Sequence, residues 1–105
     1  MKDTSFHDFI LHDLLRDVPG VTSRAMFGGW CLYKERVVFG IVAESTLYLK
    51  SSASSSPVND LLSAEPFTYE HKEKEVQMKD YRRVPEEWLE EGGRLREFVR
   101  GLKKV

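Results

Sequence analysis

Histidine and cysteine are the side chains of this sequence best suited to ligate a metal or to act as a nucleophile. The three histidines, His7, His12 and His71, are not placed beside cysteines, histidines or carboxylates at spacings that recur in zinc sites. His12 follows Asp8 by one helical turn, which predicts a solvated surface pair. Cys31 is the only cysteine, so an intrachain disulfide and a Cys-x-x-Cys motif are excluded. The sequence predicts no metal site and no cofactor.

Cys31 and the serine-rich segment 51–56 are weak candidates for covalent catalysis. Cys31 lies within a strand pattern and has no adjacent basic residue that would stabilise a thiolate, so we expect a small packed residue. The serines include no GxSxG elbow, and a flexible segment lacks the fixed base and oxyanion donors that acyl transfer requires. We therefore expect a protein that is not an enzyme.

Gly28 and Gly29 are the one glycine pair that follows a predicted strand, where a phosphate-binding loop would lie. No GK[ST] follows them, and the next segment has the pattern of a strand rather than a helix. The pair instead predicts a tight hairpin that requires either a positive φ or a close approach between backbones.

The charge balance argues against a general nucleic-acid binder. The 105 residues include 16 Lys and Arg against 17 Asp and Glu, a net charge of −1, whereas phosphate neutralisation normally requires a basic excess. Basic residues do gather near the C-terminus, where they could form a nucleic-acid patch or simply complement a helix dipole. These residues are Arg94, Arg96, Arg100, Lys103 and Lys104.

The elements that would position these residues begin with a helix predicted over residues 5–17, ended by Pro19 and Gly20. Four strands follow, joined by connections short enough to make consecutive strands antiparallel. The third is apolar at every position, which predicts a central strand. The strands are predicted at 24–27, 30–34, 37–43 and 47–50.

After the serines, Pro57 predicts a short helix through Leu62, and a charged turn separates two further strands at 67–70 and 75–78 that we expect to join the sheet. Pro85 opens a C-terminal helix that Gly92-Gly93 should interrupt. Its apolar stripe is Leu95, Phe98, Val99 and Leu102. The prediction is one α+β domain over residues 1–105, an antiparallel sheet flanked by helices in the order α-β-β-β-β-α-β-β-α, without a membrane span.

Several short motifs together resemble one known family. They are RAMFGGW at 24–30, LY at 32–33, LYLK at 47–50, FTY at 67–69, VQM at 76–78, and Tyr81 followed by VPEE at 84–87. Their order and spacing resemble the TfoX N-terminal domain, from about residue 10 to residue 100. The resemblance implies a cytoplasmic bacterial domain with no enzymatic activity, which takes part in competence gene regulation as a transcriptional co-regulator through protein contacts.

Three hypotheses about function follow. The first is a regulatory domain that binds a protein partner through a surface around the MFGG hairpin. The second is a nucleic-acid accessory domain that uses the basic C-terminal helix, and the third is a small-ligand binder or enzyme centred on Arg24, Lys50 and Tyr81. The first hypothesis assigns partner binding to Arg24, Met26, Phe27, Gly28, Gly29, Trp30, Lys50 and Tyr81.

Overall fold

The computed structural model describes residues 5–26, 29–54 and 64–102, and in this part the chain forms an α+β fold. Six strands make one antiparallel sheet in the order β1-β2-β3-β4-β6-β5. The predicted helix at 57–62 lies outside the described residues. The strands are β1 (Val21–Met26), β2 (Gly29–Lys34), β3 (Val37–Ala43), β4 (Thr46–Lys50), β5 (Pro66–His71) and β6 (Lys74–Arg83).

Strands β1 to β4 form a meander in which each strand pairs with the next one along the chain. β3 lies between β2 and β4, and the prediction of a central strand is confirmed. The β5–β6 hairpin joins the sheet as expected, but β6 pairs with β4 and leaves β5 at the edge. β1 and β5 are therefore the two edge strands of the described sheet.

The N-terminal helix differs from its predicted form. Only α1 (Ser5–Asp8) is α-helical, and a π-helical segment (Phe9–Leu14) continues it. The amide of Leu15 donates to the carbonyl oxygen of Ile10 at 3.0 Å, the wide i to i+5 turn of a π-helix. Ile10, Leu14 and Leu15 are all buried, so the apolar spacing marked the packed side correctly although it did not reveal the hydrogen-bond pattern.

Two short helices, α2 (Glu86–Glu91) and α3 (Gly93–Arg100), end the described chain. Gly92 separates them with φ of 72°, in the left-handed region that favours glycine, and this confirms the predicted interruption. The apolar stripe of α3 is also confirmed, since Leu95, Phe98 and Val99 are fully buried. No helix in the described ranges is long and apolar enough to cross a membrane.

The sheet has a different core on each face. On the first face, which we call the helix side, the helices pack against residues such as Leu32, Val42 and Leu49. On the second face, which we call the open side, Cys31, Ile41, Phe67 and Tyr81 form a smaller buried cluster.

A β-bulge in β3 places the Phe39 side chain in the core on the helix side of the sheet. Leu32 pairs with Gly40 whereas Tyr33 pairs with Val38, so Phe39 is an extra residue without a partner in β2. Phe39 therefore packs on the helix side although Ile41, two residues along the strand, packs on the open side.

The β5–β6 hairpin carries a larger irregularity. Pro66 pairs with Arg82 but Phe67 already pairs with Met78, which leaves three extra residues, 79–81, on β6. Only the end of β6 reaches β4, where Lys50 pairs with Tyr81. β5 and the part of β6 that precedes these extra residues lie against the open side of the sheet, where Phe67 joins the smaller buried cluster. The Phe67 ring is 4.9 Å from the ring of Tyr48.

Candidate functional site

The edge strand β1 places two of the predicted site residues on one exposed surface. Arg24 is opposite Cys31 and Met26 is opposite Gly29 in the pairing with β2. Residues two apart on a strand share a face, so both side chains belong to the open side. Both side chains are exposed. Met26, at 38% exposure, is the one exposed large hydrophobic residue among the described residues.

A basic pocket lies beside Arg24. Its volume is about 430 Å³, and it is lined by Thr22, Ser23, Arg24, Tyr33 and Arg36. Within the described residues neither arginine forms an ion pair, so both guanidinium groups are available to an anionic group. Arg36 was not among the predicted site residues. The sequence placed Arg36 in the two-residue turn between β2 and β3. It did not show that the pairing of β1 with β2 would bring Arg24 and Arg36 to the same pocket.

The glycine and tryptophan of the MFGG hairpin have structural roles in the described chain. A Cβ atom on Gly29 would stand 2.0 Å from the carbonyl oxygen of Val42, which confirms the predicted close approach between backbones. Trp30 is half-buried on the helix side, where its ring lies 4.5 Å from the imidazole of His7. Trp30 therefore faces away from Arg24. Phe27 and Gly28 lie outside the described residues.

His7, rather than His12, forms the local polar contacts of the N-terminal helix. Its Nδ1 lies 3.0 Å from Oδ1 of Asp8, and its Nε2 lies 2.7 Å from the hydroxyl of Ser23. The imidazole thus ties α1 to β1. His12 and Asp8, predicted as a solvated surface pair, are both exposed, and the side-chain contact that the structure shows for Asp8 is the one with His7.

Lys50 and Tyr81 are cross-strand neighbours between β4 and β6, but Arg24 does not join them. Strands β2, β3 and β4 separate Arg24 from Tyr81, and the pocket that Arg24 lines includes neither Lys50 nor Tyr81. Burial raises the pKa of the Tyr81 phenol, so this group stays neutral at physiological pH. A single ligand site built from these three residues has no support in this geometry.

Asp80, which was not among the predicted site residues, accepts hydrogen bonds from the segment that follows β4. Its Oδ1 accepts hydrogen bonds from the Ser51 hydroxyl at 2.8 Å and the Ser52 amide at 3.0 Å. Burial alone would raise the pKa of the carboxyl, but the hydrogen bonds from the two serines outweigh that effect. The positive charge of Lys50 acts in the same direction, and the pKa lies below its ordinary value. The first serines after β4 thus form a fixed 3-10 turn, not a flexible loop.

Cys31 is a packed residue, as the sequence predicted. It is 6% exposed, and its thiol donates to the sulfur of Met26 at 3.3 Å. Burial raises the pKa of the thiol and disfavours the nucleophilic thiolate. Among the described residues, no three His, Cys, Asp or Glu side chains come together in a way that could hold a metal ion.

The basic residues of the C-terminal helix differ in their exposure to solvent. Arg96 is half-buried and donates to the carbonyl oxygens of Leu14 at 3.0 Å and Glu91 at 3.3 Å. Arg94 and Arg100 are exposed, while Lys103 and Lys104 lie outside the described residues. One of the cations assigned to the nucleic-acid patch is therefore used to join two helices.

The fold and this surface define a small α+β domain whose six-stranded antiparallel sheet packs helices on one side and presents a basic pocket at one edge strand. The chain belongs to the TfoX N-terminal domain family, because the family model matches residues 13–101. A search of curated proteins finds no match.

Proposed function

We propose that this chain is a non-enzymatic regulatory domain that works in the cytoplasm by binding a partner protein. The role would be that of a TfoX-like transcriptional co-regulator of competence genes. Membership of the TfoX N-terminal domain family supports the regulatory part of this proposal. The observation that carries the protein-binding part is the edge strand β1 with its exposed Arg24 and Met26.

An edge strand offers a partner both backbone and side-chain contacts. β1 pairs only with β2 in the described sheet, so its other edge presents N–H and C=O groups to an added strand. The segment Val21–Met26 contains no proline, and Arg24 is its only charged residue. Edges that are protected against pairing normally carry more charge or a proline. β5, the opposite edge strand, begins with Pro66.

The basic pocket indicates the chemistry of the added segment. Arg24 and Arg36 both line this pocket. The planar guanidinium group of an arginine can bind a carboxylate through two parallel hydrogen bonds. Met26 adds an exposed, adaptable apolar contact on the same side of the strand. We therefore propose that the partner contributes an extended segment with at least one acidic residue.

The test compares Arg24→Glu with Arg16→Glu, an equal charge reversal at an exposed arginine of the N-terminal region. In the native host, deletion of the gene that encodes this protein should lower the transcripts of the competence genes. Reintroducing the Arg16→Glu variant should restore these transcripts, whereas reintroducing the Arg24→Glu variant should not. Partners that co-purify with the wild-type chain should be lost with Arg24→Glu alone. Full restoration by Arg24→Glu would refute the β1 surface, and unchanged transcripts after deletion would refute the competence role.

A DNA titration distinguishes the nucleic-acid alternative. Our proposal predicts weak DNA binding that Arg100→Glu does not change, because the net charge is −1 and Arg96 is used structurally. A DNA affinity that falls steeply with salt and is lost with Arg100→Glu would assign function to the C-terminal helix instead.

A further inference from the structure

The basic pocket beside β1 has its hydrogen-bond donors on one face of the sheet. Thr22 pairs with Tyr33, and Arg24 pairs with Cys31, whose side chain belongs to the buried cluster of the open side. Tyr33 packs against the same cluster, so Thr22, Arg24 and Tyr33 all lie on the open side. Arg36 lines the pocket from the turn that follows β2. Donors from two strands and a turn therefore line one concave surface.

These donors are not used elsewhere in the described chain. The hydroxyls of Thr22 and Tyr33 and both guanidinium groups have no hydrogen-bond or ion-pair partner among the described residues. Ser23 also lines the pocket, but its hydroxyl is bound to His7 and is not available. No described Asp or Glu is among the lining residues. The pocket thus presents two positive charges and two hydroxyl groups without a carboxylate of its own.

The number of charges and donors distinguishes between the acidic groups that this pocket can bind. A carboxylate has two oxygens and one negative charge, and a single guanidinium group is enough to bind it. A phosphorylated side chain has three strong acceptor oxygens and a charge of about −1.5 to −2 at neutral pH. Two guanidinium groups and two hydroxyls therefore match a phosphoryl group in both charge and hydrogen bonds, whereas one carboxylate would leave part of the set unused.

We propose that the acidic group bound by the basic pocket is a phosphorylated side chain of the partner's extended segment. This inference rests on the proposed function, because it takes the β1 edge as the place where that segment is added. Arg24 and Arg36 would share the phosphoryl oxygens, and the hydroxyls of Thr22 and Tyr33 would donate to the remaining acceptor sites. Phosphorylation of the partner would then strengthen its binding to this chain, so a kinase that acts on the partner would control the complex.

The first test uses three short labelled peptides that are rich in threonine and differ only in a central phosphoserine, glutamate or serine. Fluorescence anisotropy with the full chain should show the phosphoserine peptide binding about tenfold or more tightly than the glutamate peptide, a ratio that corresponds to about 1.4 kcal/mol. The glutamate peptide should in turn bind more tightly than the serine peptide. Equal binding of the phosphoserine and glutamate peptides, with the serine peptide weaker, would overturn this inference and leave the proposed acidic segment intact. Equal binding of all three peptides would refute the β1 surface as well.

Matched variants assign the selectivity to the basic pocket. Arg36→Gln should lower the preference for phosphoserine over glutamate from about tenfold to about threefold or less, because one guanidinium group is lost. Arg100→Gln, the same change at an exposed arginine of α3, should leave the preference unchanged. Thr22→Val and Tyr33→Phe remove only the hydroxyls, and both should weaken phosphoserine binding more than glutamate binding. Equal effects of Arg36→Gln and Arg100→Gln would overturn the inference.

Two further measurements give the location of the site and the source of the phosphoryl group. In ¹⁵N-labelled protein, the phosphoserine peptide should shift the amide resonances of residues 22–24, Tyr33 and Arg36. Inorganic phosphate, tested as a competitor, should bind about tenfold or more weakly than the peptide, because it lacks the backbone contacts of an added strand. Inorganic phosphate that binds as tightly as the peptide, or shifts confined to α3, would overturn the inference.

Discussion

The guanidinium of Arg96 donates a hydrogen bond to the carbonyl oxygen of Leu14 at 3.0 Å and so links the last helix to the end of the π-helical segment. The carbonyl groups at a helix end have no partner within the helix, and a cation there also complements the helix dipole. Arg96 has a second acceptor in the carbonyl oxygen of Glu91. Arg96, which the sequence offered as a candidate nucleic-acid contact, therefore has a structural role between helices.

Arg96→Met should lower the free energy of unfolding by about 1 to 2 kcal/mol, because it leaves the Leu14 carbonyl without its charged donor while retaining the aliphatic stem. Arg100→Met is the control, because Arg100 is an exposed arginine on the same helix. Urea denaturation of both variants measures the difference. Equal stability of the two variants would show that the Arg96 contacts contribute nothing.

The apolar stripe of α3 should show graded costs of truncation. Phe98→Ala and Leu95→Ala remove fully buried side chains and should each cost about 3 to 5 kcal/mol. Leu102 is half-buried beyond the end of α3, so Leu102→Ala should cost less, about 1 to 2 kcal/mol. Thermal or chemical denaturation gives the order of stability, and a cost for Leu102→Ala equal to that for Phe98→Ala would contradict it.

Asp80 should make stability depend on pH in the acid range. Its pKa is lower in the folded chain than in the unfolded one, so its contribution is fully present above the unfolded pKa of about 3.9 and is lost as the pH falls through the folded pKa. Asp80→Asn should therefore be less stable than wild type at neutral pH, and the gap should narrow below about pH 4. Asp17→Asn, at an exposed carboxylate, is the control.

Melting temperatures of wild type, Asp80→Asn and Asp17→Asn at neutral and acid pH provide the measurement. A stability gap between wild type and Asp80→Asn that stays constant with pH would show that the Ser51 and Ser52 hydrogen bonds do not depend on the charge of the carboxylate.

Two glycine-to-alanine changes should have opposite results. Gly29→Ala would place a methyl group 2.0 Å from the Val42 carbonyl oxygen, a backbone atom that cannot move aside, and should cost about 3 kcal/mol or more. Gly93→Ala meets no atom within 4 Å and lies in a helix. It should be neutral or stabilise the chain by up to about 1 kcal/mol. A well-folded Gly29→Ala variant with wild-type stability would disprove the close approach.

Part of the candidate site was predictable from the sequence and part was not. The strand pattern around residues 24 to 34 placed Arg24 and Met26 on a surface strand next to a hairpin, and this was correct. The inclusion of Trp30 in the same surface was not supported, because the pairing register sets Trp30 opposite Ala25 on the helix side. The two serine contacts of Asp80 connect residues 28 and 29 positions apart, beyond the reach of any local pattern.

Elements with strong local sequence signals could be predicted from the sequence. The unbroken apolar run of β3, the stripe of α3 and the glycine between the last two helices specify their conformations within a few residues. Three features depend on long-range packing: β6 lies between β4 and β5, the Phe39 bulge turns an aromatic ring toward the helices, and Glu70 pairs with Glu75. These features depend on which strands pair and in which register. That choice is made by the packing of both sheet faces together, and no short stretch of sequence contains it.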